Sequence, residues 1–165
     1  MSNNATSAPR IVVGVDGSEP SKAALRWAAD QAELMDGVVD AIFAWEFPTS
    51  WYGLAPPADT KPADYQEQAR KLLDQVIDEV LRPEQPVEIR PRSPQGHPAA
   101  VLLDAAAGAR LLVVGNRGHG GFTEALLGSV SQHCVQHAPC PVVVVRGSPP
   151  PREMNSPTGN LTEYT

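Results

Sequence analysis

The sequence predicts a doubly wound α/β domain, an open sheet of five mainly parallel strands with about four helices packed on it. Three observations carry that expectation. Two short apolar runs, Ile11-Val12-Val13-Gly14-Val15 and Leu111-Leu112-Val113-Val114-Gly115, each lead into a polar turn, as strands buried on both faces do. Segments with helical spacing alternate with strand-like runs along the chain. Such alternation requires right-handed crossovers, and so a mostly parallel sheet covered on both faces.

Each element follows from local chemistry. Ile11 to Val15 delivers the turn Asp16-Gly17-Ser18, in which Ser18 offers a helix N-cap. Pro20 suits a first helical turn, Leu25, Ala28, Ala32 and Met35 recur at helical spacing, and Gly37 stops the helix. Val38 to Ala44 reads as the second strand. The stretch from Glu46 to Lys61, with Pro48, Gly53, Pro56 and Pro57, is a long loop. Its aromatics Phe47, Trp51 and Tyr52 either form a lid or partner surface or simply cover exposed core. From Pro62 to Leu81, the residues Tyr65, Ala69, Leu72, Leu73, Val76, Ile77 and Val80 trace one face of an amphipathic helix. Val87 to Arg92 alternates apolar and charged residues, as a strand near a sheet edge would. Ala99, Leu102, Leu103 and Ala106 mark a third helix, Leu111 to Gly115 the fourth strand, Gly128-Ser129 to about His137 the last helix, and Val142 to Val145 the last strand.

Residues 10–147 therefore read as one domain, preceded by a flexible segment 1–9. A Pro-rich tail, 148–165, lacks periodicity and is expected to be disordered. A length of 165 residues with 42% hydrophobic composition is enough to bury a core without disulfides or structural metals. Thirteen Lys and Arg against 19 Asp and Glu give a net charge of −6 with no basic stripe, which argues against nonspecific nucleic-acid binding. No basic segment leads into an apolar run at the start, and no stretch approaches membrane-spanning length. Cys134 and Cys140 alone do not make a secreted disulfide framework, so a reducing cytoplasm is the expected setting.

In open α/β sheets, ligands bind beyond the carboxyl ends of the strands, where the winding reverses. With strand order 3-2-1-4-5, Asp16-Gly17 and the loop Gly115-Asn116-Arg117-Gly118-His119-Gly120-Gly121-Phe122 face each other across that crevice. The loop leads to Gly128-Ser129-Val130-Ser131, which opens a helix. Glycines let backbone approach phosphate oxygens, and a helix start offers free N–H groups to an anion, to which the Ser129 and Ser131 hydroxyls can add. Asp16 either holds a ribose or a metal ion or satisfies turn N–H groups. Arg117 and His119 either neutralise phosphate or are solvated loop side chains.

Gly115, two residues, Gly118, nine residues, then Gly128-Ser129 resembles the phosphate-binding pattern of the ATP-binding universal stress proteins. The likeness runs from Ile11 to about Arg146 and includes Ile11 to Ser18, Gly128 to Ser131, and Pro139-Cys140-Pro141-Val142-Val143-Val144-Val145. It implies a Rossmann-like fold that binds ATP, with or without Mg²⁺, or another adenine nucleotide. It further implies an adenine pocket using backbone groups near Val15 and Ala44, Asp16 near the ribose or a nucleotide-bound Mg²⁺, and Gly115, Gly118, Gly128, Ser129 and Val130 around the phosphates. Gly14, Val114, Asn116, Arg117, His119, Gly120, Gly121 and Ser131 complete the expected nucleotide-binding residues. Asn116 stands where many relatives carry a small hydroxyl residue, and Phe43 where many carry His.

A catalytic constellation is not evident. Walker lysine, Gly-x-Ser-x-Gly elbow and His-Glu-x-x-His are all missing, so at most slow ATP hydrolysis is expected. His133 and His137 near Cys134 and Cys140 invite a zinc reading, but the ligand pattern is not a zinc motif and a helix C-terminus favours His anyway. The leading reading is a nucleotide-responsive regulatory protein of the stress response. The alternatives are an adenine-nucleotide enzyme of a related α/β group, such as a pyrophosphatase, and a nucleotide-free dimeric scaffold. A homodimer is expected through Val142, Val143, Val144 and Val145, unless the Pro-rich tail folds over that edge.

Overall fold

The structure is a computed structural model and describes residues 7–47, 59, 61–118 and 127–147. These form, in chain order, β1 (Arg10–Gly14), α1 (Glu19–Leu34), β2 (Val38–Ile42), α2 (Pro62–Val80), β3 (Glu88–Arg92), α3 (Pro98–Ala105), β4 (Leu111–Gly115), α4 (Ser129–His137) and β5 (Val142–Val145). The sheet order is β3-β2-β1-β4-β5, and every neighbouring pair is parallel. This is the doubly wound arrangement read from the sequence, with the winding reversing between β1 and β4.

Period-two alternation splits the core into two layers. Ile11, Val13, Val39, Ala41 and Val113 point to α1 and α2, where Ala24, Leu25, Ala28, Leu73 and Val76 bury against them. Val12, Ile42, Leu112 and Val114 point to the other face and pack against Leu102, Ala106 and Cys134 of the α3 and α4 layer. The central strands are buried on both sides, which is why they read as continuous apolar runs.

Three local expectations need correction. Leu72, placed on the apolar face of α2, is 39% exposed, because Ala69, Leu73, Val76 and Val80 already fill the contact with the sheet. Gly37 does not supply the left-handed residue that ends α1; Asp36 does, at φ 51°. Gly37 is needed instead for space, since a Cβ there would lie 2.6 Å from the Pro9 carbonyl oxygen. β2 ends at Ile42 rather than Ala44, although Phe43 and Trp45 continue to donate N–H groups to the carbonyls of Arg92 and Pro94. The expectations for the tail and for Trp51 and Tyr52 lie outside the described residues.

Gly115 ends β4 directly beneath the first turn of α1. A Cβ at this position would come within 2.8 Å of the Pro20 carbonyl carbon and 2.9 Å of the Ser21 nitrogen, both backbone atoms that cannot step aside. Gly128 has no such neighbour, its nearest atom lying 3.4 Å away. Gly115→Ala is therefore expected to lower stability by about 1–3 kcal/mol, the usual cost of overpacking. Gly128→Ala leaves it nearly unchanged. Urea midpoints of the two variants test this, and equal midpoints would contradict it.

Candidate functional site

Two strand-to-helix junctions meet at the switch point, the first tied down by side chains and the second by backbone hydrogen bonds. At the first, Asp16 Oδ1 accepts from the Ser18 N–H at 2.9 Å and from the Ser18 hydroxyl. Gly17 takes a φ of 82°, which a side chain would resist. Ser18 Oγ caps α1 by accepting from the Ser21 N–H at 3.3 Å, and the Ser21 hydroxyl donates to the Ser18 carbonyl at 2.9 Å. At the second junction, the Asn116 N–H donates to the Val145 carbonyl at 2.9 Å, and the Asn116 carbonyl accepts from the Gly128 N–H at 2.7 Å.

Between the junctions lies a cavity of about 450 Å³. One wall is apolar: Val15, Ile42, Ala44, Pro98, Leu102 and Val114. The opposite rim is mostly backbone and hydroxyl, from Gly115, Gly118, Gly128, Ser129, Val130 and Ser131, with Arg117 beside it. Gly128 is the N-cap of α4 and has no side chain to cap with. The N–H groups of Ser129, Val130 and Ser131 begin the helix, so no carbonyl one turn earlier within it can receive them. All three residues line the cavity. Such an end favours an anion through its donors and through the helix dipole.

Of the residues singled out from the sequence, Gly14, Val15, Asp16, Ala44, Val114, Gly115, Arg117, Gly118, Gly128, Ser129, Val130 and Ser131 line this one cavity. His119, Gly120 and Gly121 lie outside the described residues. Asn116 is not among the lining residues; its backbone joins β5 to the start of α4, and its Oδ1 is buried without a hydrogen-bond partner. Ser131 also differs from expectation, because its hydroxyl proton is donated to the Gly115 carbonyl. The Val15 N–H is likewise taken, by the Ile42 carbonyl at 2.8 Å. Ala44 is turned the other way. Phe43 and Trp45 aim their N–H groups at the β3 side, so alternation directs the polar groups of Ala44 towards β1, beyond the point where β1 ends.

Sequence reasoning missed Ser21, Ile42, Pro98, Leu102 and Leu127 as lining residues. Pro98 and Leu102 belong to the start of α3, and only the strand order tells that this helix covers the crevice. Gly118 carries a steric signal of its own: a Cβ there would lie 2.5 Å from Asp16 Oδ2. The two junctions therefore touch at Gly118, where a side chain would push the Asp16 carboxylate aside.

Near the end of α4 the cysteines do not join the two histidines. Cys134 is fully buried against Val12, Leu112 and Val114, whereas His133 and His137 are exposed. Among the described residues no group of three or more His, Cys, Asp or Glu side chains is placed to hold a metal ion.

Fold and site together define a Rossmann-like α/β domain with an anion-ready crevice at its switch point. Residues 8–146 match the family model of the universal stress proteins, and the chain belongs to that family. A universal stress protein of Mycolicibacterium smegmatis is 35% identical over 144 residues, which cover 83% of this chain and 48% of that protein. The chain spans about half the length of the curated relatives it matches. A solved universal stress protein in complex with cAMP shares the fold with a TM-score of 0.60 at 24% identity, over 86% of this chain and 99% of that one. Another, from Archaeoglobus fulgidus in complex with dAMP, has a TM-score of 0.51 at 20% identity, over 84% and 97%.

Burial pushes the Cys134 thiol up from 9.0 to about 11. The unfolded chain loses this proton first as pH rises, so the folded state binds more protons between those values. The resulting contribution to stability is fully present below about pH 9 and is lost as pH rises towards 11. Denaturation midpoints of the wild type are expected to fall more steeply over that window than those of Cys134→Ala, and parallel curves would exclude the effect.

Proposed function

We propose that this protein is an adenine-nucleotide-binding regulatory protein of the stress response that takes ATP, with or without Mg²⁺, in the cavity between β1 and β4. The observation that carries the reading is the pairing, in one cavity, of an apolar slot with the open N-terminus of α4. An apolar slot of this kind suits a purine, and about 450 Å³ falls in the usual range for small-ligand sites. Val15, Ile42, Ala44 and Leu102 would hold the base, with the polar groups of Ala44 turned towards its edge. The N–H groups of Ser129 and Val130, the Ser129 hydroxyl, Arg117 and the bare backbone of Gly118 would hold phosphates. Asp16 would serve the ribose or the bound Mg²⁺. The cAMP and dAMP complexes of related proteins support an adenine nucleotide as the ligand class. Two free thiols suit a reducing cytoplasm as the place of action.

Bound nucleotide would act by mass action on the folded state, stabilising the segment Gly115 to Ser131 and altering a partner surface. Mass spectrometry of nucleotide released from the purified chain, together with calorimetric titration of ATP, tests the reading. An empty protein that ignores millimolar ATP would rule it out. Gly118→Val is expected to weaken ATP binding severely while the circular dichroism stays that of the wild type, because the new side chain collides with Asp16 and fills the phosphate approach. Ser129→Ala is expected to cost about 1 kcal/mol, the worth of one hydrogen bond. Unchanged affinity in both variants would remove the phosphate assignment.

A homodimer through β5 is the second part of the proposal, and the contrast between the two sheet edges favours it. At the β3 edge the outward backbone positions are Ile89, Pro91 and Ser93; Pro91 has no N–H, and the Ser93 carbonyl is taken by the Trp45 indole N–H at 2.9 Å. At the β5 edge Pro141 and Val145 turn to β4, which leaves the N–H and C=O groups of Val142 and Val144 facing outward. Antiparallel pairing with a second β5 would satisfy them under a two-fold interface. Val144→Pro removes one outward N–H and none that the β4–β5 ladder uses. Light scattering is expected to report a folded monomer for the variant and a dimer for the wild type; a monomeric wild type at micromolar concentration would reject the interface.

A further inference from the structure

We infer that His133 and His137 form a two-imidazole binding site for a divalent transition-metal ion such as Zn²⁺ on the outer face of α4. Two histidines four apart on one helix face can share a metal ion. In this helix both are exposed, and their ring centroids lie 5.6 Å apart with the planes tilted by 44°. With Zn–N bonds of about 2.0–2.1 Å and a tetrahedral angle, two bound imidazole centroids sit about 5 Å apart. Small side-chain rotations close the difference.

Among the described residues the pair stays accessible. Neither ring belongs to the buried core, which α4 reaches through Ser131 and Cys134. The helix Ser129–His137 carries no Asp, Glu, Lys or Arg that would tie an imidazole into an ion pair or repel a cation. His137 ends the helix, where free carbonyls and the negative end of the dipole favour positive charge. Among the described residues no third metal-ligating side chain joins the pair, so the protein fills two coordination positions and water or another exchangeable ligand fills the rest. A structural zinc site takes four protein ligands. This one is open and exchanges its ion readily. It differs from the zinc reading with thiolates, since Cys134 faces the opposite side of the helix and is sealed in the core.

The site serves the last turn of a helix that needs support. α4 has nine residues, shorter than a helix that stands alone in water, and its N-cap is a glycine without a side-chain bond. A chelated ion between positions one turn apart holds that turn closed.

The test is calorimetric titration of ZnCl₂ into the full chain, alongside His133→Gln, His137→Gln and the control His97→Gln, with circular dichroism to verify folding. One Zn²⁺ is expected to bind per wild-type or His97→Gln chain, and that binding is expected to be lost in either α4 variant. In a second measurement, sub-stoichiometric Cu²⁺ should broaden the imidazole Cε1–H proton signals of His133 and His137 together, before that of His97. Absence of Zn²⁺ binding to the wild type, binding that survives both α4 substitutions, or broadening that begins at His97 overturns the assignment.

Discussion

The close seat of α1 on the end of β4 governs the rest of the molecule. Because residue 115 has no side chain, Pro20 and Ser21 can lie almost on the β4 backbone. That position brings Ser21 within reach of both Asp16 and Ser18, so one hydroxyl fixes the turn and the helix start together. Gly14 plays the corresponding part for β1, since a Cβ there would press on the Leu102 methyl at 2.8 Å. Both strand ends are thus recessed beneath helices. The cavity is the space left between them, and its depth is a consequence of two missing side chains.

The far end of the sheet sets the other wall. Arg10 on β1 reaches Asp40 on β2 at 3.0 Å and donates to the carbonyls of Ala105 and Ala107 at 2.8 and 2.7 Å. Asp40 is almost fully buried, and its charge is tolerable because the guanidinium covers it. A cation at the C-terminal end of α3 also meets the negative end of that helix dipole. The clamp holds α3 from below, and the first turn of the same helix presents Pro98 and Leu102 to the cavity. The same helix thus joins the clamp at one end of the sheet to the cavity at the other.

Much of this was legible in the chain. The β1 and β4 runs betrayed burial on both faces, the Ser18 cap marked its helix, and the spacing of Gly115, Gly118 and Gly128-Ser129 located the crevice. What periodicity hid depends on three dimensions. Leu72 has the right spacing for the core but sits just beyond the width of the stripe that α2 can bury. Gly37 looked like a conformational stop, yet its constraint comes from Pro9, distant in sequence. Ser131 carries a hydroxyl at the expected place, but only the folded chain reveals that the Gly115 carbonyl claims its proton. Pro98 and Leu102 give no local signal at all, because their role follows from the order of the strands.

The unlike edges of the sheet also bear on how far copies of this chain can associate. A parallel sheet with two open edges could add molecule after molecule, β5 of one to β3 of the next, and grow into a fibre. Pro91 lacks the donor that such stacking needs, and the Glu88, Arg90 and Arg92 side chains beside it would have to give up water. Growth of that kind would have to pair a strand with the β3 edge, where Pro91 offers no N–H at an outward position.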